Sequence, residues 1–190
     1  MVSVAQLSAA QEQFIQAWGQ MGPSWGVSRT MAEVHALLYI TGRPLNTDDV
    51  MDRLRISRGN ASMSLRALVE WGLTSRVHIR GDRKEYFQAD QEPWSMARAV
   101  IRERLRREIM PLLASLYDLR DQTGDHAGVA GAGAPEANDE LAPAEAIQTH
   151  NQRLDELVAM MQTIDRLGER FVGSEGKGLQ VAASLLSKVI

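Results

Sequence analysis

Residues 57 to 73, SRGNASMSLRALVEWGL, carry hydrogen-bonding side chains on one side of a predicted helix. If Leu65 marks the buried face and each residue turns the helix by about 100°, the opposite side can be assigned residue by residue. That outward side carries Asn60, Met63, Ser64 and Arg66. Asparagine and serine both donate and accept hydrogen bonds, and small side chains permit close approach to another molecule. A solvated face would normally carry Lys and Glu, so this face favours a binding surface over the alternative of a merely small and polar solvated surface.

The sequence contains no recognisable catalytic or metal-binding constellation. Cysteine is absent, which excludes disulfides, thiolate metal sites and cysteine nucleophiles. The four histidines, at positions 35, 78, 126 and 150, have no further ligand residues at a spacing that forms a convincing metal site, and we predict that they lie at the surface or at interfaces. Phosphate-loop, dinucleotide-binding and nucleophile-elbow motifs are also absent. We therefore predict a protein that is not an enzyme and that needs no metal or cofactor.

Positive charge is concentrated around this segment. Residues 43 to 84 contain nine Arg or Lys against five acids, although the whole chain has a net charge of −3. Electrostatic attraction falls off within about 10 Å at moderate salt, so a local basic patch suffices for contact with phosphate groups. Eight of the nine cations are Arg, which can form bidentate contacts that Lys cannot.

The first twenty residues lack the basic and continuously apolar regions of a signal peptide. No later stretch approaches the roughly 18 uninterrupted apolar residues of a membrane-spanning helix. A cytoplasmic protein without a membrane partner is the expectation.

Helical spacing and helix-capping residues predict the elements that would position the binding surface. Before residue 57 they are a helix over about residues 8 to 21, a break at 22 to 26, a helix from the Ser28 cap to Gly42-Arg43-Pro44, a short helix from the Thr47 cap to Leu54, and the tight link ISRGN. In the following helix Ser57 is the expected N-cap and Gly72 the left-handed C-cap. Its predicted buried face consists of Ala61, Leu65, Leu68 and Val69.

Residues 73 to 90 change to a period of two around a Gly81-Asp82 turn, which predicts a β-hairpin. Two short helices, a tight link and a basic hairpin form a helix-turn-helix with a wing. The predicted fold class is therefore mainly α with a small β-hairpin wing.

Long helices are predicted after the hairpin. Pro93 opens one helix, and Pro111 should kink it near residues 107 to 111. Its apolar stripe is Ala97, Ile101, Leu105, Ile109, Leu112, Leu116 and Leu119. Its run of arginines, from Arg98 to Arg107, is predicted either to touch DNA or to form a solvated face with intrahelical ion pairs.

The C-terminal region begins with a predicted flexible linker over residues 124 to 143 and ends with a predicted short apolar helix over 179 to 190. Between them, the spacing of a coiled-coil seam is formed by Ile147, His150, Leu154, Leu157, Met161, Ile164, Gly168 and Phe171. Amphipathic helices on both sides of a small winged unit favour a two-fold dimer.

The run WGVSRTMAEVHALLYITGRPLNTDDVMDRLRISRGNASMSLRALVEWGLTSRVHIRGDRKEYFQA (25 to 89) resembles the GbsR-type branch of the MarR-like winged-helix transcriptional regulators. The most specific parts are SRGNASMSLRALVEWGL and GDRKEYF, and the looser similarity covers about residues 14 to 115. The resemblance implies a homodimer held by terminal helices, recognition helices in successive major grooves of a pseudo-palindromic operator, and wings on the flanking backbone. It also implies that some members respond to a small effector, such as choline.

Combining the pattern with this resemblance predicts five regions. They are an N-terminal dimerisation helix (1 to 26), a winged helix-turn-helix DNA-binding domain (27 to 92), a long connecting and dimerisation helix (93 to 123), the linker (124 to 143) and a C-terminal helical dimerisation region (144 to 190). The predicted function is a sequence-specific, homodimeric transcriptional repressor that binds double-stranded DNA. The alternatives are a winged-helix module for protein contacts and a constitutive DNA binder without an effector.

The DNA contacts are assigned by chemistry. Asn60 suits adenine and Met63 suits a thymine methyl, whereas Ser57 and Arg58 lie at a helix N-terminus that favours phosphate. The predicted DNA-binding residues are Ser57, Arg58, Gly59, Asn60, Ser62, Met63, Ser64, Arg66, Arg76, Arg80, Arg83 and Lys84. Trp18, Trp25 and Trp94, near the junctions with the long helices, either line an effector site suited to a quaternary ammonium group or simply pack. Trp71 is assigned to the core.

Overall fold

The structure is a computed structural model that describes residues 3–124, 143–173 and 184. Almost all of the predicted linker and of the predicted tail helix therefore lie outside the described residues. The chain divides into two compact units, of which the first contains the described residues up to Ile101 together with Ser184, and the second those from Arg102 to Gly173. The architecture is mainly helical with a small antiparallel sheet, as the sequence predicts.

The first unit begins with two helices. Helix α1 (Val4–Met21) starts about four residues before the predicted boundary because Ser3 and Gln6 form a reciprocal capping box at its N-terminus. A 3₁₀ turn (Gly22–Trp25) follows, and left-handed Gly26 ends it, with φ of 76°. Helix α2 (Arg29–Thr41) has the predicted Ser28 cap and ends at left-handed Gly42.

The helix-turn-helix consists of α3 (Thr47–Leu54) and α4 (Arg58–Glu70). The predicted Ser57 cap is confirmed, because its side chain accepts a hydrogen bond from the Asn60 N–H. Gly72 adopts the predicted left-handed conformation, with φ of 73°. The hairpin strands are β2 (Thr74–Val77) and β3 (Tyr86–Ala89). A third strand, β1 (Leu45–Asn46), pairs with β3, and its two residues are too few to show a period in the sequence.

The core of this unit is formed by the inner faces of α2 and α4. Leu37, Leu38, Leu65 and Leu68 are fully buried, and the side of α4 predicted to face inward does so, although Val69 is only half-buried. Burial of these side chains holds α4 in one orientation, which leaves its opposite face to solvent.

The long helix departs from α geometry where Pro111 is predicted to disturb it. Helix α5 (Pro93–Arg104) is followed by a π-helical turn (Leu105–Ile109) and then by α6 (Met110–Gly124). The Met110 N–H reaches the Leu105 carbonyl, five residues back. Each π turn takes one additional residue and rotates the following helix about its axis.

This rotation changes which apolar residues are buried in the second unit. Leu113 and Leu116 are buried, whereas Leu112 and Leu119, which continue the uninterrupted α-helical spacing, are exposed. Beyond the π turn, the predicted stripe is therefore confirmed for Leu116 and wrong for Leu112 and Leu119. Helix α7 (Pro143–Gly173) packs against α6 and buries Leu154. The predicted seam does not form one buried face within this unit, because Leu157 and Ile164 are exposed whereas Leu154 is buried.

Candidate nucleic-acid interface

The N-terminus of α3 is held by Asn46, not by the predicted Thr47. The Asn46 Oδ1 accepts hydrogen bonds from the N–H groups of Asp48 and Asp49 at 2.9 and 3.1 Å, and its own N–H donates to the Asp49 carboxylate at 3.0 Å. Thr47 is the first helical residue. The cap lies one residue earlier because Asn46 has the extended backbone that an N-cap requires.

The outer face of α4 presents a small polar and apolar surface to solvent. Gly59, Asn60, Met63 and Arg66 are all exposed, and 58% of Met63 is accessible. The Arg66 Nε–H donates to the Ser62 carbonyl at 3.2 Å, which lays the guanidinium stem along the helix. Ser57 and Arg58 are exposed at the N-terminal end of the same helix. These residues therefore occupy one accessible surface, as the sequence predicts.

Ser64 is a correction to the predicted interface. Only 7% of this residue is exposed, so its hydroxyl lies inside the unit and not on the outer face. Ser62 is half-buried. The helical wheel places Ser64 at the flank of the outer face. Helix α4 is in contact with α2, α3 and β2, so its buried surface is wider than one face and includes that flank.

Asp48 joins the N-terminus of α4 to the wing. Its Oδ1 lies 2.5 Å from an Arg58 guanidinium nitrogen, and its Oδ2 lies 3.2 Å from the Lys84 ammonium nitrogen. Hydrogen bonds from Lys84 and then from Arg58 hold the pKa of the Asp48 carboxyl below its usual value, and the same contact raises the pKa of Lys84. Two predicted phosphate contacts therefore converge on one carboxylate that the sequence analysis did not select. The sequence does contain a signal for this contact, because Asp48 is an acid within the basic segment 43 to 84.

The wing loop between β2 and β3 has its own internal anchor. Asp82 accepts hydrogen bonds from the Lys84 N–H at 2.9 Å and from the Tyr86 hydroxyl at 2.7 Å, and these lower the pKa of the Asp82 carboxyl. Gly81, with φ of 90°, provides the left-handed turn. The ordered loop leaves the side chains of Arg80 and Arg83 exposed, and neither makes an ion pair within the described part of the wing.

Arg76 lies on β2 and forms a surface ion pair with Glu85. Its Nε is 3.2 Å from a Glu85 carboxylate oxygen, and both side chains are about half exposed. A surface pair of this kind is weak and can exchange for another anion. Arg76 therefore remains available to a phosphate group.

The arginines of the long helix follow the second of the two predicted readings. Arg104 pairs with Glu108, while Arg106 and Arg107 both pair with Glu103, of which 6% is exposed. Hydrogen bonds, of which the one from Arg106 has the largest effect, lower the pKa of the Glu103 carboxyl. These intrahelical pairs neutralise much of the basic run.

A cavity in the first unit contains two of the three tryptophans predicted for an effector. It has a volume of about 30 Å³ and is lined by Trp18, Trp25, Trp71 and His35, among others. The Trp18 and Trp25 rings lie 6.0 Å apart at 54°. Trp94 does not line this cavity, so the structure does not bring the three predicted residues together.

His35 contradicts the prediction that the histidines are superficial. Only 4% of it is exposed, its Nε2 has no hydrogen-bond partner, and burial lowers its pKa to about 4. Its position, four residues after Met31 and three before Leu38, continues the apolar stripe of α2. That spacing indicates burial, whereas the polar residue type by itself favours the surface.

Comparison with known proteins supports this fold assignment. Residues 25–85 match the MarR family. The matched segment runs from before α2 through α3, α4 and β2 into the wing loop, and it contains every predicted DNA contact. Together with β3, which follows it directly, this MarR-like segment forms the winged helix-turn-helix, and the other described residues are mainly helical.

A solved structure extends the likeness of fold beyond the MarR-like segment. The chain is similar to a protein described as "Crystal Structure of a transcriptional regulator", with 20% sequence identity and a TM-score of 0.58. The alignment covers 88% of this chain and 99% of that chain. No curated protein sequence matches the chain.

The described residues lack two further structural features. No helix there is long and apolar enough to cross a membrane. The same residues contain no group of three or more His, Cys, Asp or Glu side chains arranged to hold a metal ion.

Proposed function

We propose that this protein is a sequence-specific DNA-binding transcriptional regulator. The observation that carries the proposal is the outer face of α4, where exposed Asn60 and Met63 lie between cationic side chains and nothing bulky prevents close approach. The MarR-like segment and the likeness to a transcriptional regulator support the same reading. We further propose a cytoplasmic location and a place in the GbsR-type branch, on the segments SRGNASMSLRALVEWGL and GDRKEYF.

The proposed contacts divide into base readers and phosphate anchors. The Asn60 amide has the donor and acceptor needed for the two hydrogen bonds to adenine, and Met63 offers an apolar contact to a thymine methyl. Ser57 and Arg58 lie at a helix N-terminus, where free N–H groups favour an anion. Arg66, Arg76, Arg80, Arg83 and Lys84 are the proposed backbone anchors, with Gly59 allowing close approach. Ser62 stays at the edge of this surface, and buried Ser64 is no longer included.

The first experiment selects bound duplexes from a randomised pool and then measures their affinity by fluorescence anisotropy at several salt concentrations. We expect affinity to decrease steeply with salt. Asn60→Ala should lower the preference for the selected sequence over a scrambled one by about 1–3 kcal/mol. Arg80→Ala with Arg83→Ala should weaken all duplexes alike, whereas Arg29→Ala, which removes an exposed arginine paired with Glu33 on α2, should change little.

The outcome also separates DNA binding from the second candidate function, a winged helix that contacts an acidic protein. If no duplex is selected and no salt-dependent binding occurs, the DNA proposal fails. The protein-contact reading would then be favoured, because it uses the same exposed cations.

We also propose that the protein is a homodimer that recognises a pseudo-palindromic operator. Support comes from an apolar stripe on α7 that the other described residues leave exposed. It is formed at helical spacing by Leu157, Met160, Ile164 and Leu167, each between 37% and 48% exposed. Contiguous apolar surface of this kind marks interaction sites. Ile164→Glu with Leu167→Glu should convert a dimer to a monomer in analytical ultracentrifugation, while Glu156→Gln with Glu169→Gln should leave the dimer intact. A wild-type monomer at micromolar concentration would contradict the proposal.

Repression released by a small effector is the regulatory part of the proposal. The proposed dimer has a DNA-competent form and an incompetent form. An effector that binds these two forms with different affinities would change the occupancy of the operator. The cavity that is lined by both Trp18 and Trp25 supports this part of the proposal. Operator release during titration with candidate solutes is the test, and no response to any of them would favour a constitutive binder.

A further inference from the structure

We propose that Arg55, in the turn between α3 and α4, is a further phosphate anchor for DNA, beyond those that the sequence pattern selects. Its ligand is a backbone phosphate, so the contact is independent of base sequence. The contact rests on the proposed function and adds one residue to the same surface. The backbone conformation of Arg55, its charge and its position beside the N-terminus of α4 all support it.

The backbone of Arg55 has the left-handed conformation that usually requires glycine. Its φ is 53°, and the other described residues with a positive φ are all glycines, namely Gly26, Gly42, Gly72 and Gly81. A residue with a Cβ is strained in this region, because the Cβ approaches the following carbonyl oxygen. Asparagine and aspartate tolerate the conformation better than most residues do, but arginine has no such advantage. Glycine would therefore fold more stably at position 55.

The turn itself imposes this conformation. The N–H groups of Arg55 and Ile56 both donate to the Met51 carbonyl, that of Ile56 at 3.3 Å, and these hydrogen bonds close the C-terminus of α3. The Ile56 side chain is half-buried and packs against the core of the first unit. The next residue, Ser57, is already the N-cap of α4. A change of φ at Arg55 would therefore pull Ile56 from the core or α4 from its cap.

The arginine side chain does not offset this strain within the folded protein. It is exposed, and it forms no ion pair or side-chain hydrogen bond with any other described residue. Strained residues persist where the surrounding structure holds them, and they cluster at binding sites. An exposed cation without an acidic partner, at a position that favours glycine, is therefore best explained by an anionic ligand.

The position of Arg55 suits a phosphate at the N-terminus of α4. Arg58 and Lys84 share the Asp48 carboxylate at 2.5 and 3.2 Å, so phosphate has to displace that carboxylate before it binds either cation. Arg55 has no such competitor among the described residues. The free N–H groups of the first turn of α4 attract the same anion. Because Arg55 precedes the Ser57 cap by two residues, the two Cα atoms lie at most about 7 Å apart, a distance that an extended arginine side chain spans.

The test measures DNA affinity and thermal unfolding of the full chain in parallel. Affinity for a selected and a scrambled duplex is followed by fluorescence anisotropy from low to high salt. Arg55→Gly should weaken binding to both duplexes alike, by about three- to tenfold at 0.1 M salt, and should reduce the slope of log K against log salt by about 0.9 per protomer. Its midpoint of thermal unfolding should equal or exceed that of the wild type, because glycine removes the strain.

Two more variants at this position separate charge from backbone freedom. Arg55→Asn is neutral and suits the left-handed conformation without the flexibility of glycine, so it should lose the same affinity as Arg55→Gly. Arg55→Lys keeps the positive charge and should keep the salt slope. Arg153→Gln removes an exposed arginine of α7 and controls for net charge, so it should change neither affinity nor slope.

The contact is overturned if the wild type binds DNA and Arg55→Gly matches it in affinity and slope. It is also overturned if Arg55→Asn keeps the wild-type slope or if Arg55→Lys loses as much affinity as Arg55→Gly. A lower affinity of Arg55→Gly together with a lower thermal midpoint has the same consequence, because the turn and not the charge would then be responsible. In all these cases the proposed DNA binding still stands. If the wild type binds no duplex, the proposed function fails and the contact fails with it.

Discussion

Replacing Asp48 by Asn should increase the affinity of the protein for DNA. The Asp48 carboxylate holds Arg58 and Lys84 at 2.5 and 3.2 Å, so two proposed phosphate anchors are already partly neutralised before DNA arrives. On binding, phosphate has to compete with Asp48 for both cations. The amide is nearly the same size as the carboxylate but carries no charge, so it frees the cations with little change in shape.

The magnitude follows from the number of cations released. Each phosphate contact changes the slope of log K against log salt by about 0.9, so two contacts would steepen it by up to about 1.8 per protomer. With this slope, one such contact raises the affinity at 0.1 M salt by roughly eightfold over its effect at 1 M salt. Because the pair is exposed and exchanges readily, we expect an increase on the order of tenfold and not the full effect of two contacts.

Fluorescence anisotropy with one selected duplex, measured from low to high salt, gives both the affinity and the slope. The matched control is Asp52→Asn, which makes the same change in net charge on α3 at an exposed position that pairs with neither cation. The control should raise affinity much less. The reasoning is refuted if the two variants behave alike, or if Asp48→Asn weakens binding although thermal unfolding shows that the fold is intact. The latter result would mean that Asp48 orients the cations for DNA.

Three further predictions concern stability. The pKa of His35 falls from 6.5 to about 4 on folding, so between these pH values the unfolded chain binds a proton that the folded chain does not. The free energy of unfolding should therefore decrease by about 3 kcal/mol as the pH falls through this window. Urea unfolding of His35→Phe should lack this decrease. Ser57→Ala removes the cap of α4 and should lower the free energy of urea unfolding by about 0.5–2 kcal/mol, whereas Ser75→Ala, exposed on β2, should cost less. A Cβ at Gly168 would overlap the Leu105 side chain, so Gly168→Val should destabilise the second unit by about 1–3 kcal/mol in the same assay, and a loss no larger than that of Ala159→Val, at an exposed position on α7, would contradict this packing.

Local chemistry explains why much of the fold could be predicted. Ser28 and Ser57 cap helices because their side chains reach an N–H three residues along the chain. Gly72 tolerates the left-handed conformation, and Pro93 begins a helix because it has no N–H to lose there. These features depend on neighbours within a few residues, so they can be recognised in the sequence.

The sequence predictions are wrong where the backbone leaves regular α-helical geometry, and they miss elements whose partners are distant along the chain. The π turn before Pro111 changed the phase of the apolar stripe, so Leu113 is buried where Leu112 was expected. Spacing alone assumes one uninterrupted helical period and cannot register an extra residue in one turn. The two-residue strand β1 exists only because β3 supplies its hydrogen bonds.

By itself, the sequence determined the helix-turn-helix with its wing, the exposed outer face of α4 and the local concentration of arginine. Tertiary packing alone decided that Ser64 and His35 are buried, because neighbouring elements cover a residue regardless of its polarity. It also brought Lys84 to Asp48 across 36 residues of sequence. Capping and periodicity are short-range effects, whereas burial and charge pairing depend on distances in space, and those distances exist only once the chain has folded.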